Sequence, residues 1–271
     1  MKNMTEHLPR DRKWKMVVRA IPALAAAILL LPLATHAQTV DEVIAKNIQA
    51  HGGMDKLKSV KSIKISQTLK AGGFQAAIRQ VSKRPDKVRD EFIIQGMTQI
   101  QAYDGKAGWT VNPFSGRRDA ELMSAEDMKG LQVEADIDGP LVDYAQKGHK
   151  AELVGHDSVE GTDCYKIKLT LKNGDIRTYF LDTDSYLELK IENQRTIRGA
   201  IQENEIYFGD YEKVDGIYFP FAIEQGQKGD GNRVQLTVNK IELNVPLDDA
   251  LFTMPAPPAA KPDTKGSGSE K

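Results

Sequence analysis

The sequence predicts an α+β domain, in which an incompletely closed antiparallel β-barrel of about ten strands carries a helical lid over an apolar cavity. Three observations favour this class: about ten segments alternate apolar and polar residues between turn signals, one helix precedes them, and a helical insertion separates two groups of strands. An amphipathic sheet must bury its apolar face, and only a few helical turns are available to cover it. A sheet that curls partway into a barrel needs less cover than a flat one. A curled sheet with an ordinary packed core is the alternative.

The composition bears on nucleic-acid binding and on disulfide formation. The 271 residues include 37 Lys and Arg against 38 Asp and Glu, with no basic stripe after residue 37. A protein that binds a polyanion typically has such a stripe, so the sequence argues against a dedicated DNA- or RNA-binding module. Cys164 is the single cysteine, which rules out an internal disulfide.

Residues 1–37 have the pattern of a secretory signal peptide. Basic residues up to Arg19 precede an uncharged thirteen-residue run from Ile21 to Leu33, and Thr35-His36-Ala37 supplies small residues for cleavage before Gln38. The mature protein is therefore expected to be soluble in the periplasm. Retention of the segment as a membrane anchor is the alternative.

The first helix is predicted immediately after this leader. Thr39 to Glu42 has the form of a capping box, and Gly52-Gly53 ends the helix. One helical face collects the apolar residues Val40, Val43, Ile44 and Ile48. Residues Met54 to Ser59 can add one or two further turns.

A period of two begins at Ile63 and continues through most of the chain, which predicts neighbouring strands of an antiparallel sheet. Asn173-Gly174 is the strongest hairpin signal. The expected strands are Ile63–Leu69, Phe74–Val81, Lys87–Ile94, Thr98–Tyr103, Gly108–Val111, Tyr165–Leu171, Ile176–Phe180, Leu187–Ile191, Ile201–Phe208, Ile217–Ile223 and Val234–Leu243.

The stretch from Ser124 to Tyr144 interrupts this alternation. Ser124 begins a capping sequence, Met128 and Leu131 form the apolar side of a helix, and Gly139-Pro140 starts a further turn. From residue 255 the chain is rich in Pro, Ala, Lys, Gly and Ser, which predicts disorder. The expected organisation is thus a signal peptide (1–37), a half-barrel domain (38–254) and a disordered tail (255–271).

Three motifs carry a resemblance to a known family. The stretch from Tyr103 to Phe114 resembles the D-G-K-x-x-W-x-x-N-P-F sequence of the LolA-like periplasmic carriers that sort outer-membrane lipoproteins. Lys83-Arg84-Pro85 is similar to the K-R-P that ends an early strand in those carriers, and Leu251 to Pro255 resembles their closing F-T-x-x-P. The motifs occur in the family's order, and with the predicted elements they cover most of residues 38–257.

This resemblance implies a fold and a function. The family's fold is an incompletely closed β-barrel with a helical lid over an apolar cavity, as derived above. The implied function is a periplasmic carrier of lipoprotein acyl chains or another lipid, which needs no cofactor. Its partners would be acylated lipoproteins or lipids, an inner-membrane donor and an outer-membrane acceptor. Since Gly148 to Asn232 is longer than in typical carriers, a divergent relative remains as plausible as the housekeeping carrier.

The resemblance also implies roles for individual residues. Arg84 matches the arginine that bonds to backbone carbonyls of the lid helices and holds the lid shut. The candidate ligand-binding residues are Trp109, Phe114, Met123, Met128 and Leu131, each of which could instead be ordinary core. If Trp109 lines the cavity, its fluorescence should report binding.

Enzyme motifs are absent from the sequence. It has no G-x-S-x-G, no G-x-x-x-x-G-K-[ST], no H-E-x-x-H and no paired C-x-x-C, so we expect neither an enzyme nor a metal site. His51 is expected to act as a donor at a helix C-terminus. Two alternatives stay open: a secreted hydrolase that uses an Asp/Glu pair in the cavity, and a scaffold that binds a protein at an exposed sheet edge.

Overall fold

The computed structural model describes residues 38–256. The predicted signal peptide (1–37) lies outside this range, and so does the predicted disorder of the tail beyond residue 256.

The helices form where the sequence predicted them. They are α1 (Val40–Ala50), α2 (Met54–Ser59) and α3 (Ala125–Glu134). Thr39 and Glu42 make the reciprocal hydrogen bonds of the capping box at the start of α1, and the Ser124 hydroxyl caps α3 by accepting the Asp127 N–H. No helix within residues 38–256 has both the length and the apolar character needed to span a membrane.

All strands belong to one antiparallel sheet. They are β1 (Ser62–Ala71), β2 (Phe74–Lys83), β3 (Lys87–Ile94), β4 (Met97–Tyr103), β5 (Gly108–Asn112), β6 (Arg117–Leu122), β7 (Lys150–Val159), β8 (Thr162–Thr170), β9 (Ile176–Asp182), β10 (Glu188–Ile197), β11 (Ala200–Val214), β12 (Ile217–Gln227) and β13 (Val234–Leu243). Their order is β6-β5-β4-β3-β2-β1-β13-β12-β11-β10-β9-β8-β7. The sheet does not close, because β6 and β7 each have a neighbour on one side alone.

The prediction of about ten strands was therefore wrong, since the sheet has 13. The two strands that the alternation missed, β6 and β7, form the two edges of the sheet. Edge strands commonly carry charged residues that discourage pairing with another chain. β6 consists largely of charged side chains, and β7 is shifted out of simple register between Leu153 and Gly155. Neither strand shows a regular apolar alternation.

One face of the sheet carries α1, α3 and the turns of residues 136–148, and we call it the inner face. Under α1, Val43 and Ile44 pack against Ile167 and Leu169 of β8, together with Leu141. The cross-strand register puts these residues on the same face as Val88 and Tyr103, against which α3 packs with Leu131 and Ala135. The helices thus cover one face, as predicted for a curled amphipathic sheet.

Candidate functional site

A mainly apolar cavity of about 240 Å³ lies on the inner face, between α1, α2, residues 136–142 and the start of β12. Its apolar walls are formed by Ile48, Leu57, Ile137, Leu141, Val142, Ile217 and Phe219. Its polar lining includes Asn47, His51, Tyr179 and Glu188. The cavity can therefore hold an apolar group, with a small polar region on one side.

Gly52 allows α1 to end against the sheet at this cavity. Its φ is +127°, and an added Cβ would lie 2.5 Å from the carbonyl oxygen of Gly216, in the turn between β11 and β12. Only glycine fits such a backbone contact at that angle. The turn from α1 into α2 can then place Leu57 over the cavity.

Arg84, at the end of β2, joins two walls of the cavity. Its Nε donates to the carbonyl oxygen of Val60 at 2.6 Å, and its Nη2 donates to that of Leu57 at 3.1 Å. The same guanidinium forms a two-point ion pair with Asp138, in which Nη1 lies 2.9 Å from Oδ2. Since Leu57 and Asp138 both line the cavity, Arg84 connects the C-terminus of α2 to the segment that follows α3.

Lys58 reinforces this connection. Its Nζ lies 2.8 Å from a carboxylate oxygen of Asp138 and 2.6 Å from one of Asp143. Burial by itself would raise the pKa of Asp138, but the hydrogen bonds and charges of Arg84 and Lys58 outweigh burial and lower this pKa to about 2. Asp138 is therefore ionised at neutral pH.

A half-buried His51–Glu188 pair forms the polar side of the cavity. His51 Nε2 lies 2.7 Å from Glu188 Oε2, and His51 Nδ1 lies 2.9 Å from the Tyr218 carbonyl oxygen. Tyr211 also donates its hydroxyl to the Glu188 carbonyl at 2.9 Å. Burial lowers the pKa of His51, but the charge and hydrogen bond of Glu188 outweigh it and raise this pKa to about 9. His51 is thus an imidazolium with both nitrogens bonded.

A pair of acidic groups lies beneath α3. Asp90 on β3 faces Glu134 at the end of the helix, and Gln80 is a hydrogen-bond partner of Asp90. Burial, followed by the charge of Glu134, raises the pKa of Asp90 to about 8. Burial also raises the pKa of Glu134, although Asp90, Arg177 and Arg195 act in the opposite direction. Burial therefore favours the protonated form of Asp90 at neutral pH.

A larger pocket of about 390 Å³ lies between α3 and the inner face of β4 to β6, and most of its lining is polar. Gln99, Gln101, Thr110 and Asn112 supply its floor, while Ser124, Gly130 and Glu134 belong to the α3 side. Beside it, an aromatic row runs along the inner face. The ring centroids of Phe74 and Phe92 are 6.5 Å apart, and those of Phe92 and Phe114 are 6.1 Å apart.

Several residues proposed from sequence lie around α3 rather than at the smaller cavity. Met123 and Leu131 line the 390 Å³ pocket. Met128 packs so closely that its Sδ would lie 3.0 Å from a Cβ added to Gly108. Phe114 is 42% exposed, at the end of the aromatic row.

Trp109 faces away from both pockets. Gly108 pairs with Tyr103 on the inner face, so the next residue, Trp109, points to the outer face. Its Nε1 donates to the carbonyl oxygen of Phe252 at 2.7 Å, and Trp109 is 2% exposed. The indole therefore anchors the C-terminal segment and does not line either cavity.

Three acidic residues that make important contacts were not predicted from the sequence. Asp138, Glu188 and Glu134 each meet their partner through the tertiary fold, and no motif marks them. Within residues 38–256, no group of three or more His, Cys, Asp or Glu side chains is arranged to hold a metal ion.

Comparisons with known proteins show which folds this chain resembles. A family model described as an uncharacterized protein matches residues 134–256. No curated protein matches the chain. Among solved structures, a DUF1329 family protein from Desulfovibrio piger ATCC 29098 is similar with a TM-score of 0.56 and 15% identity, over 80% of this chain and 98% of that chain.

Two further solved structures are similar to the chain, one described as a LolA superfamily protein and one as a lipoprotein-sorting protein domain. A LolA superfamily protein from Nitrosomonas europaea has a TM-score of 0.55 and 13% identity, over 80% of this chain and 98% of that chain. A domain described as an outer membrane lipoprotein-sorting protein, from Vibrio parahaemolyticus, has a TM-score of 0.52 and 15% identity, over 78% of this chain and 94% of that chain. The resemblance to the LolA-like fold, noted in the sequence motifs, is thereby confirmed.

Proposed function

We propose that this protein, which has the LolA-like fold, is a periplasmic carrier that binds the acyl chains of lipoproteins, or of another lipid, in outer-membrane lipoprotein sorting. The observation that carries this proposal is the apolar cavity whose walls are joined by Arg84. An inner-membrane donor would load the protein, and an outer-membrane acceptor would unload it. The fold of the sorting proteins supports the same interpretation.

The size of the cavity fits a closed, unloaded carrier. Typical ligand pockets measure about 300–1,000 Å³, and this cavity of about 240 Å³ lies just below that range. A long acyl chain would therefore need the walls to separate. Each buried methylene contributes about 0.8 kcal/mol, so even a partly inserted chain can offset the loss of the contacts that Arg84 makes.

The chemistry of the polar groups at the 240 Å³ cavity supports binding rather than catalysis. A general base needs a free lone pair that can reach the substrate. Both nitrogens of His51 are bonded, one to Glu188 and one to the Tyr218 carbonyl. Asp138 is held by Arg84 and Lys58. These groups stabilise the walls of the cavity, and we propose that the protein is not an enzyme.

The proposal is tested by binding an environment-sensitive apolar dye to the mature protein, residues 38–271. One dye should bind per chain, and long-chain fatty acids should compete with it. Ile48→Trp should weaken dye binding at least tenfold, because the larger ring occupies the 240 Å³ cavity.

Ile201→Trp is the matched control, since Ile201 is 64% exposed and lies outside the cavity. Its dye affinity should equal that of the wild type. If saturating fatty acid displaces no dye, or if both tryptophan variants behave alike, the cavity does not bind acyl chains.

A further inference from the structure

We propose that the 390 Å³ pocket between α3 and β4 to β6 binds a neutral, polyhydroxylated group of the sugar type, as the headgroup of the carried lipid. The inference rests on the proposed carrier function and adds a second site to it. The argument depends on three features: free amides, charges that are already paired, and aromatic rings beside the pocket.

Amide side chains on two adjacent strands face the pocket without protein partners. Within residues 38–256, the side chains of Gln99 and Gln101 form no hydrogen bond to the protein that meets standard geometry, and Asn112 uses only its carbonyl, which accepts the Ser115 N–H at 3.3 Å. A primary amide offers two donors and an acceptor in a fixed plane. That arrangement matches neighbouring hydroxyl groups, each of which donates and accepts.

The charged groups around the pocket are already paired. Arg117 bonds to Glu121 at 3.2 Å, and Arg195 lies 3.3 Å from Asp175. On the α3 side, Glu126 accepts the backbone N–H of Arg198. Each guanidinium of this set thus already has a carboxylate partner, which favours an uncharged ligand over an anionic one.

The aromatic row supplies the apolar part of such a site. Phe92 pairs directly with Gln99 across β3 and β4, and Phe114 lies close to Asn112 in the chain. A sugar ring has C–H groups on its faces, which suit the electron-rich face of an aromatic ring. Hydroxyl groups at the ring edge can then reach the amides.

The experiment compares amphiphiles with the same chain and different headgroups. Dodecyl maltoside, dodecylphosphocholine and dodecyl sulfate, each below its micellar concentration, compete with the apolar dye. We expect dodecyl maltoside to compete about tenfold better than the other two, the effect of one or two neutral hydrogen bonds. Free maltose, titrated by calorimetry, distinguishes a soluble sugar from a lipid headgroup as the source of the chemistry.

Substitutions in the pocket test whether the preference for dodecyl maltoside arises there. Gln101→Leu should reduce the maltoside preference to within about twofold. The same change at half-buried Gln99 tests the site at a position farther from Asp90, the cross-strand partner of Gln101. Gln75→Leu, at an exposed position on β2, is the matched control and should retain the full preference.

The outcomes separate the two proposals. Equal competition by the three amphiphiles, with dye displaced, would overturn the headgroup site and leave the carrier function standing. A maltoside preference that survives both glutamine variants would also overturn it. Failure of every amphiphile to displace dye contradicts the carrier function itself, and binding of free maltose that depends on Gln101 would then support the pocket as a sugar site.

Discussion

Arg84 and Asp138, which are 54 residues apart in the sequence, form a two-point ion pair at the edge of the apolar cavity. The Asp138 side chain is only 4% exposed, and Arg84 also bonds to two carbonyl groups at the C-terminal end of α2. One guanidinium therefore satisfies helix-end carbonyls and a buried carboxylate at once. This geometry supports the proposed role of Arg84 as a latch between the cavity walls.

The first prediction concerns this latch. Arg84→Leu should leave the sheet folded but increase hydrogen exchange more than about tenfold in residues 54–60 and 136–144, since each charge-assisted hydrogen bond contributes about 1.5–3 kcal/mol. Hydrogen exchange of lipid-free protein measures this directly. Arg79→Leu, at an exposed position on the same strand, is the control. Equal protection in Arg84→Leu and wild type would mean that Arg84 does not hold the walls together.

The second prediction concerns the His51–Glu188 pair. The pKa of His51 is about 9 in the folded state, against 6.5 for the unperturbed side chain. The ion pair therefore contributes fully to stability below pH 6.5, and this contribution is lost as the pH rises to 9. The loss amounts to about 3 kcal/mol at most. Urea unfolding at several pH values should show this decline in the wild type.

His51→Gln should be less stable at pH 6 and should show a flatter profile between pH 6.5 and 9, because the titrating ring is gone. His156→Gln, at an exposed position on β7, should keep the wild-type profile. If the slopes of wild type and His51→Gln coincide, the ring is not protonated in the folded protein.

The third prediction concerns the carboxyl pair under α3. Because the pKa of Asp90 is raised to about 8 from 3.8, the folded state holds more protons than the unfolded state in that interval, and stability falls as the pH rises from about 4 to 8. Asp90→Asn should remove this fall and make the protein more stable than the wild type at pH 8.5. The measurement is the unfolding midpoint at pH 5 and 8.5, with Asp119→Asn on exposed β6 as the control. A wild-type profile in Asp90→Asn would show that the pKa of Asp90 is not raised in the folded protein.

The fourth prediction concerns Trp109, which is the single tryptophan of the chain from residue 38 onward. Since its indole bonds to the Phe252 carbonyl on the outer face, its emission should be insensitive to acyl ligands. Phe252→Ala should instead shift the emission to longer wavelength and destabilise the protein by about 3–5 kcal/mol, because Phe252 is fully buried. A ligand-induced shift of the emission wavelength in the wild type would contradict this prediction and indicate that the indole lies near the bound ligand.

The fifth prediction concerns the leader. N-terminal sequencing of protein from the periplasmic fraction should begin at Gln38, because Thr35-His36-Ala37 has the pattern of a cleavage site. Ala37→Arg should slow processing and cause the longer form to accumulate. A full-length product that stays in membranes after a high-salt wash would contradict this interpretation.

The sequence by itself determined the fold class. Capping residues and a period of 3.6 located the helices, and a period of two located most strands, because both patterns depend on neighbours in the chain. The alternation also predicted one covered face and an unclosed sheet. It missed the edge strands β6 and β7, since a strand paired on one side needs no regular apolar pattern.

Only the tertiary structure decided which distant residues meet. Period-two alternation says that Gly108 and Trp109 point to opposite faces, but the position of α3 decides which of them faces the pocket. Likewise, His51 and Glu188 are 137 residues apart, and their contact depends on the register of the strands and the curvature of the sheet. The register and the curvature each depend on many strand pairings along the chain, so no local sequence pattern predicts these contacts.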